Sequence, residues 1–572
     1  MDRITKQLVK ELVKTQEIET KNESEHFELF VNYSIISDEH NRTFNLNDIS
    51  IGSGHDTGID GLAIIVNGSI INSSNEIDDF LERNGFLDVS YIFIQSKTSS
   101  NFDTSDIRTF VDGVKDFFRE EPTLPRNSDI QSLADISNYI LDQASSFKEN
   151  PKCKLYYVTT GIYNEEDKNI NSVKVNAIKD LKNLNLFETV DFKILGGTEI
   201  GKLYRKTKSP TSAKFTFANK VTLDDIEGIP QAYYGVLPFS EFKKLIVDDN
   251  DNIANVFDDN VRDFQGDTNP VNSKISETLN GDNPFLFSVI NNGITIVANE
   301  IKTSGNAFTI DDYQIVNGCQ TSNVLFMNRE NRNIQTLNIP IRLIGTKEEK
   351  IKSKITVSTN NQTAIKPEQL SAMSEFQKNL EFYYNTIEGD GKLYYERRSK
   401  QYNSNASVIK RKIITTPIQI KSFSSMFRDE PHRVTSYFSG IVNKIGMPNS
   451  GIFEEKHQAE IYYVSGLSFY RLDMLFNTNI IDTKYKKVRY FILMLFRLLA
   501  TNEQIPPLNS LRKVEKFSKP IIDILNDASQ LKELFLKAVE IIEKSNVDIN
   551  DKHFIKTNAM TEQLVGELNQ CK

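Results

Sequence analysis

Asn67-Gly68 lies between two apolar runs, Leu62-Ala63-Ile64-Ile65-Val66 and Ser69-Ile70-Ile71. This dipeptide readily takes the positive φ angles of a two-residue turn, so the flanking runs are predicted to fold back on each other as a hairpin. A third run, Val89-Ser90-Tyr91-Ile92-Phe93-Ile94-Gln95-Ser96-Lys97, reads as a strand whose side chains alternate between two faces. A strand this apolar is expected to be buried. It nevertheless ends with Gln95 and Lys97 leaving from one face, and that mismatch marks a candidate site.

Gly58-Ile59-Asp60-Gly61 places Asp60 at the mouth of the hairpin's first strand. If hairpin and third strand share a sheet, Asp60 and Gln95 reach one divalent cation and Lys97 stands beside it. Mg²⁺, or Mn²⁺ in its place, prefers oxygen donors and keeps several waters, so a carboxylate, an amide oxygen and a backbone carbonyl suffice. Lys97 would then orient the attacking water or stabilise charge on a pentavalent phosphate. The competing reading is structural, because an aspartate after glycine at a strand mouth is common turn chemistry.

The order Gly-Ile-Asp, hairpin, Gln95-Ser96-Lys97 resembles the PD-(D/E)XK nuclease superfamily, in the Mrr-like variant where glutamine replaces the second acid. That family carries a helical glutamate upstream, within a Phe-Glu pair. Phe27-Glu28 fits, since Phe27, Phe30 and Val31 form a helical apolar stripe, with Glu25 as a substitute for Glu28. The resemblance implies a metal-dependent endonuclease with Asp60, Gln95 and Glu28 as metal ligands and Lys97 beside them. DNA is favoured over RNA because Mrr-like domains usually cut DNA. Glutamine at position 95 also suits a degenerate, non-cleaving domain that binds nucleic acid or a partner protein.

Further along, Asn291-Asn292-Gly293-Ile294-Thr295-Ile296, Gln314-Ile315-Val316-Asn317-Gly318-Cys319-Gln320-Thr321, Thr359-Asn360-Asn361-Gln362 and Tyr394-Tyr395-Glu396-Arg397-Arg398 follow one another. This order is similar to that of the AIPR family, over about Asp56 to Tyr402. The resemblance implies a bacterial antiphage protein of abortive infection, often beginning with a nuclease-like domain and answering a phage-derived trigger. The chemistry of Asn291, Asn292, Asn317, Gln320 and Asn361 is not fixed by it. Such amides pair with base edges, and they equally cap turns and satisfy buried backbone groups.

Three other features compete for attention. Lys392, Arg397, Arg398, Lys400, Lys410, Arg411 and Lys412 are interleaved with Tyr394, Tyr395 and Tyr402, a pattern suited to phosphate contacts and base stacking, or to a solvated loop and strand. Gly196-Gly197-Thr198-Glu199-Ile200-Gly201-Lys202-Leu203 nearly spells a phosphate-binding loop. Leu203 stands where a Mg²⁺-binding hydroxyl belongs, and Glu199 would put negative charge in the cradle. Cys319 has no neighbouring histidine in sequence, so a small buried thiol is expected there.

At 572 residues the chain exceeds one core and should divide. The expected architecture is α/β: residues 1–208 as a restriction-endonuclease-like α/β domain, 213–405 as a mixed α/β AIPR domain, and 406–572 as a mainly helical region. Within the helical region, Phe469–Phe476, Val488–Ala500 and Leu511–Ser545 are the clearest stretches. A net charge of −9 argues against bulk coating of nucleic acid but allows a local basic groove. Three scattered cysteines exclude a disulfide framework or a zinc site of Cys-x-x-Cys type. The run Tyr490–Phe496 ends at Arg497, far short of bilayer length, so a cytoplasmic protein without membrane partners is expected. Apolar faces on the C-terminal helices suit internal packing and a homo-oligomer alike.

Overall fold

The computed structural model describes the chain apart from residues 19, 21, 41–42, 53–56, 209–210, 225, 248–252, 255, 258–274, 280, 282, 332–333, 361–373, 398–400, 403–407, 437, 446, 448–449, 502, 552 and 572. The described residues form a mixed α/β protein with a helical C-terminal region.

The first sheet grows from the hairpin. Strands β1 (Gly61–Val66) and β2 (Ser69–Ile70) pair antiparallel across Asn67-Gly68, both of which have positive φ. Strand β3 (Val89–Lys97) lies antiparallel to β1, with Gly61 opposite Ile94. Strands β4 (Lys152–Thr159) and β5 (Thr189–Leu195) continue in parallel, giving the order β2-β1-β3-β4-β5. Six of the seven N-terminal helices used below sandwich this sheet. They are α1 (Arg3–Thr15), α2 (Glu23–Glu39), α4 (Thr104–Phe117), α5 (Ser128–Asp142), α6 (Lys168–Lys182) and α7 (Gly197–Lys206); α3 (Ser74–Asn84) follows the hairpin.

Strand alternation sorts the core into two. Tyr91 and Phe93 of β3 join Leu155 and Phe192 against Phe110, Val114, Ile140 and Leu181 of α4, α5 and α6. Ile92 and Ile94 face the other way, with Tyr156 and Val158, toward Leu12, Phe30, Val31 and Tyr204 of α1, α2 and α7. Each fully buried side chain of this size contributes about 1.5–3 kcal/mol. The middle of β3 and β4 is accordingly apolar on both faces, while the edge strand β5 alternates, with Thr189 and Asp191 exposed.

A separate compact unit spans 209–373. Its six strands run β6-β10-β9-β11-β8-β7, from β6 (Ser212–Thr216), β7 (Asn219–Thr222), β8 (Gln231–Pro238), β9 (Ile294–Ser304), β10 (Ala307–Asn317) and β11 (Asn338–Gly345). Only β9 and β11 are parallel neighbours there. Helices α8 (Phe239–Ile246), α9 (Cys319–Met327) and α10 (Glu349–Asn360) accompany it.

Residues 374–572 form one compact unit with Met1–Lys208 rather than standing alone. The stretch 374–405, expected with the middle domain, belongs here because Phe376, Leu380, Tyr384 and Tyr395 enter the same core as the C-terminal helices. Strands β12 (Tyr394–Glu396) and β13 (Ile413–Thr415) make a short parallel pair within it. The run Tyr490–Phe496 lies in the buried helix Arg489–Ala500. The stretch Leu511–Ser545 is two helices, because Asp527 caps a second one through the amides of Ser529 and Gln530. Among the described residues no helix is long and apolar enough to cross a membrane.

Glu39, at the end of α2, ties that helix to the sheet. Its carboxylate accepts from Lys154 at 2.6 Å and from the Tyr156 hydroxyl, with Lys193 at 3.9 Å. Burial pushes its pKa up, but these partners outweigh burial and hold it below the ordinary 4.5. A carboxylate with a depressed folded pKa stabilises the fold at neutral pH and loses that contribution as pH falls through the acid range. Glu39→Gln should therefore cost about 1–3 kcal/mol in urea unfolding near pH 7. The gap from wild type should close by about pH 3.

Candidate functional site

The Gly58-Ile59-Asp60-Gly61 sequence is explained by crowding. Gly58 has φ +78°, and a Cβ there would sit 3.0 Å from the Gln95 amide nitrogen and 3.4 Å from the Phe110 backbone. At Gly61 a Cβ would come within 2.3 Å of Asn32 Oδ1. Gly113 on α4 makes room in turn for the Thr57 carbonyl, which a Cβ would meet at 2.1 Å. Glycines at these three points let the chain press against both covering layers and deliver Asp60 to the end of β3.

Asp60 is fixed on every side. Its amide donates to the Ile94 carbonyl at 2.9 Å, and its own carbonyl accepts from Ile51 N at 3.1 Å and Asn32 Nδ2 at 3.0 Å. Its carboxylate Oδ2 accepts from the Ser96 amide at 2.6 Å and the Ser96 hydroxyl at 3.2 Å. The backbone of the Gln-Ser-Lys segment thus holds the acid directly.

Gln95 is 2% exposed, and its Oε1 has no hydrogen-bond partner among the described residues. A buried, unsatisfied amide oxygen costs about 1–3 kcal/mol. Lys97 emerges two residues later on the same face, half-buried. Among the described residues its ammonium has no hydrogen-bond or ion-pair partner. Both lie on the face covered by α4, because they share the parity of Tyr91 and Phe93.

Glu28 comes from the opposite layer. It lies on α2, one turn before Asn32, with Ser24 Oγ donating to its Oε1 at 3.3 Å. Asp60, Gln95 and Lys97 therefore lie at one end of the sheet, while Glu28 is on the helix in the other layer whose Asn32 holds the Asp60 carbonyl. Among the described residues no three His, Cys, Asp or Glu side chains form a ready metal cage. The available donor set is one acid with a satisfied carboxylate, one unsatisfied amide oxygen and a second acid a layer away. Such oxygen donors fit Mg²⁺ or Mn²⁺ with water completing the shell, and do not fit zinc.

Tyr157 was not singled out from the sequence. It stands in register beside Gln95 on β4 and is wholly buried. Burial raises its pKa most, and the Asp106, Asp103 and Asp60 carboxylates raise it further. Asn32 was likewise missed, although its spacing of four from Glu28 places it on the same helix face.

The described cations of the basic strip each have a partner within the chain. Arg397 pairs with Glu381 at 2.8 Å, Lys412 with Glu17 at 2.9 Å, and Arg411 donates to the Glu17 carbonyl at 2.9 Å. Lys410 bonds the Tyr402 carbonyl, and burial lowers its pKa to about 8. Lys392 reaches the Asn385 carbonyl at 3.1 Å. Tyr395 is completely buried with its hydroxyl on Gln377, so its ring has no free face for a base. Within the expected phosphate-binding strip, Arg397 and Lys412 thus pair with acids of the chain, while Lys392, Lys410 and Arg411 bond backbone carbonyls. Arg398 and Lys400 lie outside the described residues.

In the middle unit the amide motifs meet at one end of the sheet. Asn291 caps Gly293 N at 2.9 Å and reaches Thr321 Oγ1 at 3.3 Å, while Asn317 donates to the Thr359 carbonyl at 2.7 Å. Gly318, with φ +91°, starts α9, and Cys319 and Gln320 on that helix are buried. Asn292 sits in the turn before Gly293, and Asn361 lies outside the described residues. Asn291 and Asn317 thus serve backbone and turn geometry. The near phosphate loop is closed by Glu199, which accepts from Gly196 N at 3.0 Å.

A sequence model described as AIPR protein matches residues 257–552, just over half of the chain. No curated protein and no solved structure matches it. The matched region starts after the first sheet and extends well beyond Tyr402, into the C-terminal helices.

The crowding at Gly61 is directly testable. Gly61→Ala should lower stability by about 1–3 kcal/mol in chemical denaturation, as an overpacked contact does. A neutral result would show that Asn32 does not seat against this strand.

Proposed function

The chain belongs to the AIPR protein family, and from that premise we propose that it is a bacterial antiphage effector whose N-terminal domain is a metal-dependent nuclease cutting DNA. Family membership points to phage defence through abortive infection. The nuclease reading is supported by one observation above the rest: the Asp60 carboxylate is bonded to Ser96, between Gln95 and Lys97, and among the described residues neither the Gln95 Oε1 nor the Lys97 ammonium has a partner.

Asp60 and Gln95, with Glu28 from α2, would hold Mg²⁺ or Mn²⁺. The bound cation would supply Lewis acidity to a phosphodiester and ease deprotonation of water. Lys97 contributes a fixed positive charge beside the scissile phosphate, stabilising negative charge as it develops on the oxygens. Ser96 holds the Asp60 carboxylate through its amide and hydroxyl, and Gly58 lets Gln95 lie against the loop that carries Asp60. The middle and helical regions would restrain this activity until a phage-derived trigger arrives, since an unrestrained nuclease kills its host.

One observation favours a second reading. Position 95 carries a neutral amide sealed from solvent, which lowers cation affinity and suits a non-catalytic sensor that binds nucleic acid or a partner protein.

Incubating the full chain with single- and double-stranded DNA and RNA, with Mg²⁺ or Mn²⁺, separates the two. Divalent-dependent cutting of DNA is expected, and Lys97→Ala should slow it by about 10²–10³ without altering the fold by circular dichroism. Asp60→Asn should weaken Mn²⁺ binding in a paramagnetic-resonance titration. Wild-type protein that neither binds Mn²⁺ nor cuts any substrate would select the sensor reading.

A further inference from the structure

Residues 43–52 run along the seam between the first α/β sheet and the helical region, which belong to one compact unit. On the sheet side this segment acts as an additional edge partner for the start of β1. Ile51 N donates to the Asp60 carbonyl at 3.1 Å, Leu62 N donates to the Ile49 carbonyl at 2.8 Å, and Ser50 bridges antiparallel to Gly61. Asn32 Nδ2, which holds the Asp60 carbonyl, also donates to Ser50 Oγ at 3.2 Å.

On the helical side the same segment is anchored by side chains. Thr43 Oγ1 donates to Glu396 at 2.7 Å, and Asn45 Nδ2 donates to Asp473 at 2.9 Å on the helix Ala459–Asn477. At the far end, Gly52 is held by Asn127 and Asp129 at the start of α5, whose Ser128 meets Thr483 of the helical region at 3.2 Å. The backbone that aims Asp60 is therefore fastened to the C-terminal helices through fewer than ten residues of chain.

Within the arrangement so fastened Gln95 is sealed from solvent, while Asp60 is half-buried. The Asp60 carboxylate is bonded to Ser96, and Gln95 is 2% exposed. Resting on the nuclease reading above, we propose that residues 43–52 are an autoinhibitory strap through which the helical region keeps the Asp60–Gln95 site closed, and whose release opens it. The seam is poised for this. Asp48 of the strap is pushed toward its protonated form by removal from water and by Asp473 across the seam, while Lys486, Arg489 and Asn72 oppose that shift. Asp473, which accepts from Asn45, thus also bears on the strap's own carboxylate.

The test uses two variants of the full chain that spare every candidate ligand. Asn45→Ser keeps a hydroxyl cap for the turn Leu46–Asp48 but is too short to reach Asp473, and Thr43→Val removes the donor to Glu396 at constant shape. Hydrogen–deuterium exchange should quicken about fivefold or more at the amides of Ile51 and Leu62 in either variant, as the loss of one coupling contact predicts. Exchange in α6 should not change. DNA cleavage with Mn²⁺ should rise by a similar factor, with melting temperature nearly constant. Unchanged exchange at both amides overturns the strap, as does cleavage that stays level or falls in variants whose exchange has quickened. Wild-type and variant proteins that all fail to cut would instead refute the nuclease reading, and the exchange at Ile51 and Leu62 would still decide whether the helices hold that backbone.

Discussion

Covering β3 on both faces is the constraint from which the rest of the N-terminal domain follows. Tyr91 and Phe93 fill one layer while Ile92 and Ile94 fill the other, so the strand can carry polar side chains only where it leaves the core. Gln95, Ser96 and Lys97 occupy that exit. The parallel partner β4 then fixes Tyr157 beside Gln95, and the antiparallel partner β1 brings Asp60 to Ser96. Two helical layers must approach closely to seal such a strand, which is why glycine stands at positions 58, 61 and 113.

What the sequence made legible was whatever depends on local periodicity and turn chemistry. The Asn67-Gly68 hairpin, the β3 alternation and the Phe27–Val31 stripe are each written within ten residues, and each appears as an element of the structure. Glu199 against the phosphate loop was legible for the same reason, being a conflict of charge within one turn. Long-range neutralisation was not legible. Nothing near Lys410–Lys412 announces that Gln16 and Glu17 will meet them from the other end of the chain. The domain border was misplaced at 405 for a related reason: Phe376 and Leu380 carry a helical stripe that fits any core, and only the packing assigns it to the C-terminal helices. Tyr157 was missed because an aromatic in an apolar strand looks like filling.

Several acids of this protein each gather cations from distant parts of the chain. Glu39 gathers Lys154 and Lys193, Glu17 gathers Arg411 and Lys412, and Asp390 gathers Arg471 at 2.6 Å. Lys97 differs from these in having, among the described residues, no such partner at the end of its sheet. The middle unit follows another rule. Its asparagines shape turns around α9 and the β9–β10 hairpin, so its amide-rich motifs build a scaffold of close backbone approaches.

The first 208 residues and the last 199 share one compact unit, with the six-stranded unit inserted between them. A ribosome working at about 5–20 residues per second therefore exposes the N-terminal sheet roughly ten to thirty seconds before the first of its helical partners emerges. During that interval the nascent sheet has both of its covering layers but neither Glu396 nor Asp473, the C-terminal partners of residues 43–52. Residues 43–52 therefore meet Glu396 and Asp473 only after the inserted unit has been made.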